Sequence, residues 1–261
     1  MNEENRNKSL IRKTDAIAKY DPQKKKKLIV RGLDELENIK SSVEAFKTQE
    51  DIDNAQKRWM EVIESRREAL KISPNDVTAY FKLGLDYFTG AVAYGLDMYK
   101  EAIEAYKQAI RINPDYIYAY SGLGDTYFEL NMYKEAIEAY KQAIRINPDV
   151  DVYSRLGGTY FELNMYKEAI EAYKLAVRIN PDDAYSYYNL GVIYHILEMY
   201  KEAISVYQEV VRLDPDDAYS YYNLGVTYKH VGQKSKAVEE YQILKKLDSK
   251  LAEKLFEEIC K

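Results

Sequence analysis

The sequence predicts an all-α solenoid built from repeated two-helix units, and three observations support that prediction. The segment MYKEAIEAYKQAIRINPD occupies residues 98–115 and recurs unchanged at residues 132–149. Within this segment, apolar residues recur three and four positions apart, which is the spacing of one face of an α-helix. A proline recurs at spacings of 34, 33 and 34 residues: Pro114, Pro148, Pro181 and Pro215. A fixed period of this size is typical of solenoids.

Composition argues against several other classes of protein. Of the 261 residues, 46% are hydrophobic and 31% are charged, a balance typical of a folded soluble protein. The net charge of -5 gives no general electrostatic case for nucleic-acid binding. The single cysteine, Cys260, leaves no intrachain disulfide. The first residues do not resemble a signal peptide, and the longest aliphatic run there, 28–30, is too short to span a membrane. We therefore expect a cytoplasmic protein.

Residues 1–75 are predicted to form an N-terminal helical cap derived from a degenerate repeat. Residues 26–46 carry one apolar stripe of a long helix, formed by Ile29, Leu33, Leu36, Ile39 and Val43. Thr48 and Asp51 resemble a helix start. The segment from there to Pro74 has the spacing of a second helix.

Four lysines stand together at residues 24–27, inside the predicted cap. They could contact nucleic acid or an acidic membrane. However, the run has no interleaved aromatic residues, and its neighbours Asp15 and Asp21 are acidic. A solvated terminal segment is the better interpretation, so we expect neither a nucleic-acid nor a membrane partner.

Each repeat is interpreted as a first helix, a turn and a second helix. In the second helix, Tyr99, Ala102 and Tyr106 lie on one apolar face. Pro114 ends that helix, because a proline disfavours the helical conformation of the residue before it. The following segment, 119–130, supplies the first helix of the next repeat.

These residues resemble the tetratricopeptide repeat (TPR) family, whose pattern is an aromatic residue, Leu-Gly, Tyr, Ala, an aromatic residue, Ala and Pro. The Leu-Gly pairs begin at Leu83, Leu123, Leu156, Leu190 and Leu224, and the alanines at the helix crossings are Ala102, Ala136, Ala169, Ala203 and Ala237. The resemblance implies a right-handed superhelix of helix-turn-helix units with helical caps. It places five units at about 77–116, 117–149, 150–183, 184–217 and 218–249, within residues 76–249.

Two departures from the pattern lie at the ends of the array. About six extra residues separate Tyr87 from Tyr99, bracketed by Gly90 and Gly95. They form either a longer first helix or loop, or a local contact surface. At the other end Ser249 replaces the repeat's proline, so the last second helix need not stop sharply. Residues 250–261 are predicted to form a C-terminal capping helix.

The sequence contains none of the common catalytic constellations, so we expect neither an enzyme nor a cofactor. The two histidines, His195 and His230, lie near the ends of predicted first helices, and we expect no metal site there. Paired aspartates such as Asp182 and Asp183 follow a proline at a helix start, where capping explains acidic residues.

The tyrosines carry the strongest functional signal. Of 27 tyrosines, nineteen occupy framework positions of the repeat, and five others stand at the second or fifth position of a first helix. The resemblance implies that first helices line the concave surface, where those positions face a bound peptide. The alternative is that these tyrosines pack between adjacent repeats. The predicted binding surface comprises Phe88, Tyr118, Phe128, Phe161, Tyr185, Tyr188, Asn189, His195, Tyr219, Tyr222 and Asn223.

The expected partner is a protein or peptide segment of apolar to mildly basic character. In the family, a clamp of lysines, arginine and asparagines holds acidic C-terminal tails, and the corresponding positions here are mostly uncharged. The middle of the predicted groove is acidic instead, with Asp125, Glu129, Asp151 and Glu162. We therefore predict a non-catalytic protein-protein adaptor or scaffold. The alternative is a structural protein that assembles with itself into homo-oligomers.

Overall fold

The computed structural model describes residues 48–260, which form twelve α-helices and no strand. The helices are α1 Gln49–Ile72, α2 Val77–Tyr94, α3 Tyr99–Ile112, α4 Ile117–Glu129, α5 Tyr133–Ile146, α6 Val150–Glu162, α7 Tyr166–Ile179, α8 Ala184–Ile196, α9 Tyr200–Leu213, α10 Ala218–His230, α11 Lys234–Leu247 and α12 Ser249–Cys260. The predicted all-α class is confirmed. The described residues belong to two compact units, 48–164 and 165–260. The predicted helix at 26–46 and the lysine run lie outside the described residues.

Small and aromatic framework residues hold each helical pair together. The alanines predicted at the helix crossings are fully buried, with 0% exposure at Ala102, Ala136, Ala169, Ala203 and Ala237. A tyrosine of the second helix also packs on a glycine of its own first helix, in the pairs Gly84–Tyr106, Gly124–Tyr140 and Gly191–Tyr207. A Cβ at these glycines would lie only 2.5–2.7 Å from a ring carbon, so no larger residue fits without displacing the ring.

The first unit contains α1 to α6. α1 begins with a capping box, in which the Thr48 side chain accepts from the Asp51 backbone N–H while the Asp51 side chain accepts from the Thr48 backbone N–H. Trp59 of α1 donates its indole N–H to the carbonyl oxygen of Asp86 over 2.9 Å. Arg66 of α1 forms an ion pair with the Asp86 carboxylate. These contacts fix α1 against α2.

The extra residues after Tyr87 lengthen a first helix. α2 has 18 residues, whereas α4 has 13. The extension ends at Gly95, whose left-handed backbone (φ +66°) suits glycine. Gln56 of α1 donates its side-chain amide to the carbonyl oxygen of Tyr94 over 2.7 Å, so the end of the helix is held from α1.

The second unit contains α7 to α12, and α12 covers its C-terminal end. Leu251, Ala252, Leu255 and Ile259 of α12 are buried. Leu255 lies against Gly225 of α10. In the three pairs described above, the equivalent glycine contacts a tyrosine ring instead. Asp248 ends α11 and accepts hydrogen bonds from the backbone of residues 250 and 251, so that α12 begins at once. The second helix therefore stops sharply without a proline, contrary to the expectation drawn from Ser249.

Candidate protein-binding surfaces on the first helices

An exposed aromatic cluster marks the start of the first helices in the first unit. Tyr118 of α4 is 62% exposed, far more than the buried framework tyrosines. Its ring contacts Phe81 of α2 and Tyr116, with ring centroids 6.0 and 5.6 Å apart. Phe81 and Tyr116 also contact each other at 5.6 Å. The three rings form a fixed apolar platform with a hydroxyl at its accessible tip.

A second accessible group lies at the opposite ends of α4 and α6. Phe128 and Phe161 are half-buried, and the Phe128 ring packs edge-on against Tyr133, with centroids 5.5 Å apart. Burial raises the pKa of Tyr133, and the carboxylates of Glu162 and Glu129 raise it further. Both carboxylates therefore act on one phenol, which gives this end of the first unit an acidic and aromatic character. Phe88, the predicted member on α2, is buried instead, with 3% exposure.

The acidic residue Asp125 is not part of an accessible surface. It is 5% exposed, forms an ion pair with Arg155 and accepts a hydrogen bond from the Tyr140 hydroxyl over 2.7 Å. Burial raises the pKa of Asp125, while Arg155 and the Tyr140 hydroxyl oppose the rise. Asp125 therefore joins α4, α5 and α6 from inside. The prediction that it contributes to an acidic groove is wrong.

Three predicted residues remain accessible in the second unit. Tyr185 and Tyr219 are half-buried, and the Tyr185 ring packs edge-on against Tyr173 with centroids 6.2 Å apart. Asn189 is also half-buried, and its side-chain amide donates to the carbonyl oxygen of Tyr185 over 2.8 Å.

Four other predicted residues of the second unit are buried: Tyr188 (2% exposed), His195 (6%), Tyr222 (6%) and Asn223 (1%). Asn223 donates to the Tyr188 hydroxyl over 3.0 Å, which ties α10 to α8. Burial raises the pKa of Tyr188, so its hydroxyl stays protonated. Tyr188 therefore packs between adjacent repeats, as the alternative interpretation predicts, and Tyr222 is buried as well.

His195 takes part in the same interior network. Its Nδ1 lies 2.8 Å from the hydroxyl oxygen of Thr227, and that hydroxyl donates to the carbonyl oxygen of Asn223. Because the Thr227 proton is used there, its oxygen accepts from His195, which places the imidazole proton on Nδ1. The His195 ring also contacts His230 at 5.2 Å. Within residues 48–260, no three histidine, cysteine, aspartate or glutamate side chains group so as to hold a metal ion.

Sequence reasoning missed two ion pairs in the first unit, one between α1 and α2 and one between the first helices α4 and α6. Arg66 with Asp86, and Arg155 with Asp125, are separated by 20 and 30 residues. The available signal was that an aspartate stands on a first helix where the other repeats carry uncharged residues. Asp86 aligns with threonine or isoleucine, and Asp125 aligns with leucine, glycine or valine. That signal identifies an unusual position but not its partner.

None of the described helices has the length and apolar composition needed to cross a membrane. No curated protein sequence matches the chain. Among solved structures, the chain resembles "Crystal structure of MamA protein" with a TM-score of 0.60 and 25% identity, covering 68% of this chain and 94% of that one. It also resembles "YrrB: a TPR protein with an unusual peptide-binding site" with a TM-score of 0.59 and 26% identity, covering 73% and 96%.

A structure of "MamA 41-end from Desulfovibrio magneticus RS-1" shares the fold at 22% identity and a TM-score of 0.57, over 66% of this chain and 96% of that one. Family comparison matches "TPR repeat" at residues 96–131, 157–198 and 193–232. It matches "Tetratricopeptide repeat" at 117–150 and 218–258. These matches cover more than half of the sequence and coincide with the helical pairs described above. The chain therefore belongs to the tetratricopeptide repeat family.

Proposed function

We propose that the chain is a non-catalytic adaptor that binds a segment of another protein on the exposed aromatic residues of its first helices. The observation that carries the proposal is the contrast between two sets of tyrosines. Framework tyrosines such as Tyr106 and Tyr140 are 1% exposed, whereas Tyr118 is 62% exposed on a platform of three rings. Rigid aromatic rings with polar tips give contact area at a low cost in side-chain entropy.

The proposed binding residues are those that the fold leaves accessible. In the first unit they are Tyr118, Phe128 and Phe161, and in the second unit Tyr185, Asn189 and Tyr219. The five buried members of the predicted set act as support, because they cannot contact a partner while the repeats stay packed. A dissociation constant near micromolar, about -8 kcal/mol, would be ordinary for such a surface.

The proposed partner of the first unit is an apolar to mildly basic segment. The acidic and aromatic end formed by Phe128, Glu129, Phe161 and Glu162 supports this chemistry, because a lysine or arginine stem packs on phenylalanine while its charge faces a carboxylate. Resemblance to a TPR protein with a peptide-binding site is consistent with a peptide ligand.

The test is a lysate pull-down with the full chain, followed by binding measurements on synthetic segments of each captured protein. The binding variant replaces Tyr118, Phe128 and Phe161 with alanine. The control replaces Phe256, which is 52% exposed on α12 and is not one of the proposed binding residues. We expect the binding variant to lose the partner while keeping its helix content, and the control to retain it. Equal capture by both variants would overturn the proposal.

Self-assembly into homo-oligomers is the second candidate, favoured by one apolar contact at the end of the second unit. Phe256 of α12 stays half exposed while its ring packs at 5.5 Å on Tyr241. Light scattering separates the candidates. A monomer at all concentrations supports the adaptor, and an oligomer that Phe256→Ala dissolves supports self-assembly.

A further inference from the structure

The first described helix, α1, exposes a face that is buried in the other repeats. Counting back from the proline that ends each second helix, the residue twelve positions earlier is Val62 in α1 and Ala102, Ala136, Ala169 or Ala203 in the repeats that follow. Those four alanines are 0% exposed, whereas Val62 is 41% exposed. The residue five positions before the proline repeats this contrast. Ala69 is exposed, while Ala109, Ala143 and Ala176 are 0% exposed.

The opposite face of α1 is packed as in an ordinary second helix. Ile63 and Leu70, eleven and four positions before Pro74, are 1% and 7% exposed. They belong to the same core cluster as Leu83 of α2 and Ala102 of α3. α1 is therefore a second helix that contacts the next repeat normally, and Val62 and Ala69 mark where its own first helix belongs.

We propose that this face of α1 is the docking site for residues 28–46 of the same chain. The chain enters α1 at the Thr48 cap, so these residues immediately precede the helix they would cover. As a helix, nineteen residues extend about 28 Å, which is enough to return alongside Val62 on α1, itself about 36 Å long. Their predicted apolar stripe contains Ile29, Leu36 and Val43 at seven-residue intervals, which suits an antiparallel helical partner. The proposal adds an internal contact to the proposed adaptor and does not depend on its ligand.

This pairing lacks the tyrosine–glycine contact that is present in three of the following pairs. Eight positions before the proline stand Tyr106, Tyr140, Tyr173 and Tyr207, each at most 1% exposed. In α1 that position is Arg66, and its guanidinium is engaged by Asp86 of α2. Without that contact, we expect the docked segment to be the first part of the array to detach on warming.

Hydrogen exchange on the full chain tests the docking site. Val62→Asp and Leu36→Asp each place a charge in the proposed contact, and Val238→Asp is the matched control. Val238 is the same residue type, is also 41% exposed and also lies on a second helix. We expect the first two variants to speed exchange of the amides of α1 about tenfold and to lower Tm by a few degrees. The control should change neither, and the double variant should be no worse than either single variant.

Two results would overturn the proposal. If Val62→Asp behaves like Val238→Asp, the face of α1 is solvated and nothing docks there. If the protein is a concentration-dependent dimer that Leu36→Asp converts to monomer, the occupant comes from a second copy. A monomer at all concentrations, with both sensitive variants behaving as expected, supports docking within one chain.

Discussion

Replacing Gly124 with alanine tests whether the tyrosine–glycine contact limits how closely the helices pack. The new Cβ would lie 2.5 Å from a ring carbon of Tyr140, whereas ordinary contacts begin at 3.4 Å. The ring would have to move by the difference, about 0.9 Å. It cannot do so freely, because Tyr140 is 1% exposed and its hydroxyl is bonded to Asp125, which Arg155 also holds.

The magnitude follows from two opposing effects. Overpacking of a filled core costs about 1–3 kcal/mol, while alanine favours a helix over glycine by about 1 kcal/mol. We expect a net loss of about 1–2 kcal/mol for Gly124→Ala. Gly225→Ala is the matched control, because its Cβ would meet Leu255 Cδ2 at 2.6 Å, the methyl end of a flexible side chain that no hydrogen bond holds in place. We expect that variant to stay within about 0.5 kcal/mol of wild type.

Urea unfolding, followed by far-UV circular dichroism, gives the free energy of unfolding of both variants and of wild type. Thermal melts provide a second measurement. A loss of this size lowers Tm by about 2–4 °C per kcal/mol for a chain of this length. If Gly124→Ala is as stable as wild type, or no less stable than Gly225→Ala, then the Tyr140 ring is free to move and the reasoning is refuted.

Three further predictions concern buried charge and the backbone. Arg155→Met leaves Asp125 buried without its partner, so we expect urea unfolding to show a loss of about 3–5 kcal/mol at neutral pH. The loss should shrink in acid, because a carboxyl whose pKa is raised in the folded state is stabilised on protonation. Burial raises the pKa of Glu240 to about 7. The contribution of Glu240 to stability therefore falls as the pH rises from its pKa in the unfolded chain to above 7. We expect Glu240→Gln to flatten that part of a plot of Tm against pH. Glu198 has a left-handed backbone (φ +61°), where the equivalent turn uses Asn131. Glu198→Asn should raise stability by about 0.5–1 kcal/mol in thermal melts, since asparagine tolerates that conformation.

Most of the framework could be predicted from the sequence, because the framework residues recur at the same position of each repeat. The alanines at the helix crossings and the tyrosines at Tyr106, Tyr140 and Tyr173 lie where the pattern predicts, at 0–1% exposure. Helical periodicity and the recurring proline depend on local chemistry, and local chemistry is copied with the repeat. The helical pairs, their order and the all-α class follow from it.

The candidate site was predicted less well, because exposure depends on the neighbouring repeat. The word PDDAYSYYNLGV occurs at residues 181–192 and 215–226. In the first copy Asn189 is half-buried and bonds to its own helix, whereas in the second copy Asn223 is 1% exposed and bonds to Tyr188 of α8. The same sequence segment therefore presents different side chains to solvent in its two copies.

By itself the sequence determined the repeat, its helices and the small and aromatic residues that close each pair. Only the tertiary structure decided that Tyr118 is accessible while Tyr188 is not, that Asp125 pairs with Arg155 inside the fold, and that one face of α1 is left open. The physical reason is that helix formation and packing within a pair act over a few residues of chain. Burial, ion pairing and exposure are set by whichever helix lies alongside, and that helix can be thirty residues away.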